Sequence, residues 1–151
     1  GPTASVVYLG SSDQSNGANT MVMWCWHGVD GYSQFGSFTG NNSTNGPFIS
    51  MSFAPAYFMF KRIDGNGDWY TFDSSRNTYN PASNILALNQ PQTESTMASN
   101  SSNGKMDFLS NGIKLRSGNG SDFNGSGVKF LYAAWASNPF GGSGVTQGKA
   151  K

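Results

Sequence analysis

The chain has few groups of the kind that carry out chemistry. Its 151 residues include one cysteine, one histidine and 11 % charged residues, with a formal net charge of +1. A single cysteine excludes an internal disulfide. The small net charge provides no field that would attract nucleic acid or an anionic membrane surface. No apolar run reaches the roughly 20 residues of a membrane-spanning helix, and no signal peptide is recognisable.

Helix-forming patterns are also scarce. Runs of Ala, Leu, Glu and Lys are absent, and Glu94 is the only glutamate. The chain has instead 20 glycines, abundant Ser, Asn and Thr, and 14 % aromatic residues, which lie in short apolar runs between turn-forming residues. Disordered chains are poor in aromatics, so the pattern predicts short strands joined by many turns. A chain of this length is expected to form one domain with a real core.

The predicted strands follow the apolar runs. Residues 21–27 are a long run that is apolar on both faces, which predicts a central strand covered on both sides. Residues 128–136 are a second long apolar run, and both runs are expected in the middle of sheets. Cys25 lies in the first of these runs and is expected to be a buried, inert thiol. Shorter strands are predicted at residues 5–9, 34–39, 48–53, 57–63, 68–72, 105–109 and 113–116, and residues 85–88 are predicted to be a short strand or a single helical turn.

Two hairpins are expected from the turn residues. The sequence Asp64-Gly65-Asn66-Gly67 predicts a tight primed turn, because Asp-Gly and Asn-Gly readily adopt positive φ. Ser110-Asn111-Gly112 predicts a second hairpin. With about nine or ten strands and a turn every 8–12 residues, the fold class is predicted to be all-β: an antiparallel β-sandwich of jelly-roll or concanavalin-like type, with long Gly/Asn/Ser-rich loops.

The organisation along the chain is predicted to be simple. Residues 1–2 resemble the scar of a removed purification tag, and residues 3–20 form an N-terminal arm with a short strand. Residues 21–140 form the sandwich domain, and residues 141–151 are a flexible Gly-rich tail.

Signals for catalysis and metal binding are weak. Cys25 and His27 fall on one face of a predicted strand, but no third orienting group accompanies them, and the carboxylates form no glycosidase-type pair. Asp64, Asn66 and Asp68 resemble the first half of a calcium loop, although the glycine at the sixth position and the later Glu are missing. His27 would bind a metal only if three copies met on a symmetry axis. We therefore expect no enzymatic activity and no cofactor.

Aromatic residues in or beside turns are the candidates for contact with a ligand or partner, because such residues stack on sugars and anchor interfaces. The alternative is that most of them close the ends of the sandwich. Arg76 is included because it is placed to pair with Asp73 and brace a loop. The candidate contact residues are Tyr32, Phe35, Phe38, Trp69, Tyr70, Arg76 and Tyr79.

Several segments, in order along residues 21–140, resemble an uncharacterised all-β domain of the tail fibres and related structural proteins of tailed phages. This family is common in marine phages. The segments are residues 25–33, 35–41, 46–48, 53–62, 73–80, 107–116 and 134–140. The resemblance implies an extracellular virion location, and a fibre location implies a homotrimer. It brings no assigned chemistry, and residues 92–103 and the tail after residue 140 depart from the family's pattern.

The sequence therefore predicts a non-enzymatic C-terminal domain of a tail fibre. It would trimerise and contribute to host adhesion by binding a surface glycan or other virion proteins, with three weak sites acting together. One alternative is a capsid decoration or cement protein, whose arms at residues 3–19 and 141–151 order only on assembly. Another is a stand-alone carbohydrate-binding module. Neither nucleic-acid binding nor membrane insertion is expected.

Overall fold

A computed structural model describes residues 5–18, 20–94, 104–118 and 121–139. The predicted tag scar, the Gly-rich tail and most of the polar stretch 92–103 lie outside the described residues. The strands are β1 Ser33–Thr39, β2 Phe48–Ser50, β3 Pro55–Arg62, β4 Tyr70–Asp73, β5 Leu86–Ala87, β6 Met106–Leu109, β7 Gly112–Leu115 and β8 Lys129–Ala136. The helices are α1 Asp13–Asn16 and α2 Ser121–Asn124.

The strands form two antiparallel sheets, one with the order β1-β8-β3-β4-β5 and the other with the order β2-β7-β6. Helix in the described residues is limited to short turns such as α1 and α2, so the prediction of an all-β sandwich is confirmed. None of the described helices is long and apolar enough to span a bilayer.

Strand β8 is the centre of the larger sheet. It pairs with β1 on one side and with β3 on the other, so that Ala133 lies opposite both Phe35 and Met59. Alternation along β8 directs Phe130 and Tyr132 toward the core. The run at residues 128–136 is therefore a central strand, as predicted.

The core lies between the two sheets. The larger sheet contributes mainly aromatic side chains, and the smaller one contributes aliphatic side chains and methionine. Burial of a side chain of this size stabilises the fold by about 1.5–3 kcal/mol relative to leaving it exposed. Fully buried positions are Phe58, Phe60, Phe72 and Phe130 in the larger sheet, and Met106, Ile113 and Leu115 in the smaller one.

The predicted hairpin at Ser110 and Asn111 is confirmed, since these two residues alone separate β6 from β7. The glycine that follows is required by its conformation. Gly112 has a φ of 148°, and a Cβ atom there would lie 2.1 Å from the carbonyl oxygen of Ile49.

The other predicted hairpin pairs β3 with β4, but its turn differs from the prediction. Neither Gly65 nor Gly67 has a positive φ, so the tight primed turn is wrong. The connection, residues 63–69, is held by side chains instead. The Lys61 ammonium donates to the Gly67 carbonyl, and Arg62 Nε donates to Asp64 Oδ1 at 2.7 Å.

One buried side chain ties two loops together. Asn124, at the end of α2, is fully buried and donates through Nδ2 to Asn41 Oδ1, Ser43 O and Ser117 O at 3.0, 3.0 and 2.7 Å. Its Oδ1 accepts from the backbone N–H of Asn41 at 2.9 Å. The loop after β1 is thereby fixed to the loop after β7.

The N-terminal part of the chain differs most from the prediction. Residues 5–28, here called the apolar arm, contain α1 but no strand in their described part. The strand at residues 5–9, the central strand at residues 21–27 and the buried state of Cys25 are therefore wrong, and the sandwich begins only near residue 29. The physical reason is that both edges of β8 are already occupied by β1 and β3, so the first apolar run has no central place in the sheet.

Candidate functional site

The predicted contact residues do not form one cluster. Strand register aligns Ser33, Trp135, Tyr57 and Asp73 in a row across one end of the larger sheet, and Tyr32 and Arg76 lie at this end. Tyr79 is in the loop that follows β4 at the same end. Another group lies toward the opposite end and consists of Phe38, Trp69 and Tyr70.

Two of the predicted contact residues belong to the core. Phe38 stacks on Phe130 with ring centroids 4.8 Å apart, and Tyr70 stacks on Phe123 at 4.4 Å. Tyr70 is 6 % exposed. Burial, together with the nearby charges of Asp68 and Asp122, raises the pKa of Tyr70 to about 12. Both aromatic rings close one end of the sandwich. Their assignment as contact residues is therefore corrected, because both rings pack against residues of the core.

Trp69 is half-buried and braces the connection between β3 and β4. Its ring lies 6.0 Å from Lys61 Nζ, within the range of a cation–π contact. Its backbone N–H donates to Asn89 Oδ1 at 2.9 Å, and Asn89 Nδ2 donates to Asp68 Oδ1 at 2.8 Å. Hydrogen bonds from Gln90 and Asn89 hold the pKa of Asp68 below its usual range. These contacts fit a structural role for Trp69.

The weak metal candidates are engaged elsewhere or lie apart. Asp64 accepts from Arg62 through Oδ1 and from the backbone N–H of Lys129 through Oδ2, at 2.7 and 3.0 Å. The Lys129 bond and then the Arg62 bond lower the pKa of Asp64. Asn66 is exposed, and His27 lies in the apolar arm. Across the described ranges, no three His, Cys, Asp or Glu side chains are grouped to hold a metal ion.

An aromatic row crosses the outer face of the larger sheet. Phe35 and Tyr57 both contact Trp135 edge-to-face, each with ring centroids 5.6 Å apart. All three rings are half-buried. Trp135 and Tyr57 were not predicted as surface residues, yet the alternation of β8 contains the signal, because Trp135 falls on the face opposite Phe130 and Tyr132.

A charged cluster borders this row. The Arg76 guanidinium contacts the Asp73 carboxylate, lies 3.2 Å from Glu94 Oε2, and donates to the Thr71 carbonyl at 3.3 Å. The predicted pair of Asp73 and Arg76 is therefore confirmed. Burial by itself raises the pKa of Asp73, but the hydrogen bonds and charge of Arg76 outweigh it and leave the pKa lowered. Because its donors are occupied by these contacts, Arg76 braces the loop.

Two of the predicted contact residues remain accessible. Tyr79 is 85 % exposed and Tyr32 is 38 % exposed. The loop that carries Tyr79 is ordered by Asn77, whose Oδ1 accepts from the N–H groups of Ser83 and Asn84 at 3.0 and 2.6 Å. A ligand that approaches this end of the sandwich would meet these two tyrosines first.

The apolar arm holds a separate feature that the sequence interpretation missed, since it assigned residues 21–27 to a buried central strand. An apolar pocket of about 770 Å³ is lined by Leu9, Ser15, Met21, Val22, Met23, Trp24 and Trp26. Sites for polar ligands need several converging polar groups. One serine among seven lining residues does not meet that need, so the pocket suits apolar side chains better than a sugar.

No curated protein and no solved structure shows a significant match to the chain. A family model does match, over residues 1–139. The matched region contains both the sandwich and the apolar arm, so the arm is part of the shared domain. The chain belongs to the family described as Domain of unknown function (DUF7483).

Proposed function

We propose that the chain is a non-enzymatic structural domain of a phage virion, the C-terminal domain of a tail fibre, which assembles as a homotrimer and contributes to binding of a host-surface glycan. The observation that carries the proposal is an all-β sandwich with a long, exposed apolar arm. Monomeric proteins rarely expose apolar patches larger than a few hundred Å². Such an arm therefore supports a role within an assembly.

The resemblance to tail-fibre domains provides further support. Several of the resembling segments coincide with parts of the sandwich: residues 35–41 with β1, residues 53–62 with β3, and residues 107–116 with the β6–β7 hairpin. These resembling segments therefore lie in strands of the sandwich.

For the recognition role, the accessible tyrosines are the best-placed groups. Tyr32 and Tyr79 lie at one end of the sandwich, where three copies in a fibre would present six rings around a common axis. Each contact would be weak, but simultaneous binding by three copies raises the overall affinity through effective concentration.

The recognition part can be tested on an array of bacterial surface polysaccharides. We expect the full chain to bind at least one of them, and Tyr79→Ala to weaken that binding about tenfold, a loss of about 1.4 kcal/mol. Phe48→Ala is the matched control, because Phe48 is an exposed aromatic on β2, outside these loops. Equal binding by wild type and Tyr79→Ala, or no binding at all, would exclude recognition by this loop.

A capsid decoration protein is the second candidate, and the exposed arm also favours it, since an arm of this kind can extend onto a shell. Labelling virions with an antibody against the chain separates the two. Label at the tail tip supports a fibre, and label over the head supports decoration. A monomer in solution that binds glycan would instead favour a carbohydrate-binding module.

A further inference from the structure

In the apolar arm, six consecutive residues, 21–26, are exposed and form no hydrogen bond with any residue that the structure describes. Val22, Trp24 and Trp26 are 76 %, 75 % and 62 % exposed. A run of strand-forming residues with free N–H and C=O groups is a template for pairing with another strand.

The exposed surface is large enough for a stable interface. The rings of Tyr8, Trp24 and Trp26 leave roughly 300–500 Å² exposed, if a buried aromatic side chain covers 150–250 Å². Aliphatic side chains that are also exposed, such as Val22 and Met23, bring the area toward roughly 800 Å², which is what one partner contributes to an interface of standard size.

The charge of the arm favours a second copy of the same chain as the partner. Asp13 is the only Asp, Glu, Lys or Arg in residues 1–29. Identical arms can therefore meet with almost no like-charge repulsion, and a charged partner would find nothing to complement. Symmetric association of identical chains is also the commonest form of oligomer.

We propose that the apolar arms of neighbouring copies of this chain pair with one another: residues 21–26 join as strands, and the exposed rings of Trp24 and Trp26 pack against the apolar arm of the next copy. This pairing rests on the homotrimer of the proposed function. It requires neither glycan binding nor a virion location.

The mass of the full chain in solution, measured by light scattering, tests the pairing. We expect the wild type to have the mass of a trimer, and the double variant Trp24→Ser/Trp26→Ser to have the monomer mass of 16.1 kDa. Tyr79→Ser is the matched control, since it also removes an exposed aromatic but should remain a trimer. Circular dichroism checks that the double variant keeps its β structure.

Cys25 gives a second measurement that uses only the wild-type protein. In a single copy this thiol is exposed between the two tryptophans. Pairing of the arms would cover it, so we expect its reaction with a disulfide reagent to be about tenfold slower in the assembled protein than after dilution to monomer. This measurement remains available if the double variant does not fold.

The outcomes separate the two proposals. A trimer that survives the double substitution and reacts rapidly at Cys25 would overturn arm pairing but leave the trimeric fibre domain standing. A wild type that is monomeric at high concentration would overturn both the arm pairing and the proposed homotrimer. If that monomer binds phosphatidylcholine vesicles, the arm is assigned to a lipid surface instead. Loss of glycan binding alone would leave arm pairing intact.

Discussion

The two long apolar runs of this chain, residues 21–27 and 128–136, have opposite environments. β8 is paired on both edges and directs Phe130 and Tyr132 into the core. The run that contains Trp24 and Trp26 has no strand partner among the described residues and is largely exposed. An apolar run thus predicts that its side chains become buried, but it does not show whether other residues of the same copy of the chain bury them. The comparison predicts that substitutions in the packed run change the folding equilibrium, whereas substitutions in the exposed run change the association between copies.

The largest difference is expected between Phe60 and Trp24. Phe60 is fully buried and contacts several other aromatic rings. Phe60→Ala should lower the free energy of unfolding by about 3–5 kcal/mol through lost burial and a residual cavity. Trp24→Ala should change it by less than about 0.5 kcal/mol in the dilute monomer. Urea unfolding at low protein concentration measures both.

Comparable losses for the two variants would contradict this distinction. They would place Trp24 within the folding unit of its own copy and remove the contrast between the arm and the sandwich. The arm would then be an integral part of the folded domain.

A smaller effect is expected from substitution of Asn124, whose buried side chain joins two loops of the sandwich by hydrogen bonds. The described residues 21–26 have no such hydrogen bonds. Asn124→Ala leaves the Asn41 N–H and two carbonyls without their side-chain partner, and should cost about 2–3 kcal/mol. Asn66→Ala is the control, because Asn66 is exposed in its turn. Thermal unfolding distinguishes them. Equal melting temperatures for the two variants would show that the loops are fixed by other contacts.

The smallest effect appears only at alkaline pH and concerns the buried Tyr70. Folding raises its pKa from 10.0 to about 12, so the folded state keeps a proton that the unfolded state releases. Its contribution to stability is therefore present below pH 10 and is lost as pH rises toward 12. Tyr70→Phe should flatten the fall in unfolding free energy over this range, while Tyr79→Phe should not. Identical alkaline slopes for wild type and Tyr70→Phe would contradict the assignment.

Local signals predicted much of the sandwich. The short apolar runs located β1, β3 and β8, and Ser110-Asn111-Gly112 located the β6–β7 turn. These features depend on neighbours close in sequence. The connection between β3 and β4 was predicted less well, because its shape depends on Arg62 and on Lys129, whose N–H comes from a distant strand.

The candidate site was less predictable still. Position beside a turn does not show which way a ring points: Phe38 and Tyr70 pack on the core, whereas Tyr32, which precedes β1, is exposed. The exposed state of Trp24 depends on which strands pair with the two edges of β8. A single sequence does not show which of several apolar segments will form those pairs.

The central place of β8 also determines when the protein can fold during its synthesis. Phe35 in β1 pairs with Ala133, so the first strand of the larger sheet cannot complete its pairing until β8, the last strand of that sheet in chain order, has been synthesised. Until then, β1 and one edge of β3 remain unpaired. Pairing between such distant segments makes folding slow and exposes intermediates to aggregation. A lower growth temperature should therefore raise the yield of native protein, because cooling weakens the hydrophobic association of the exposed strands.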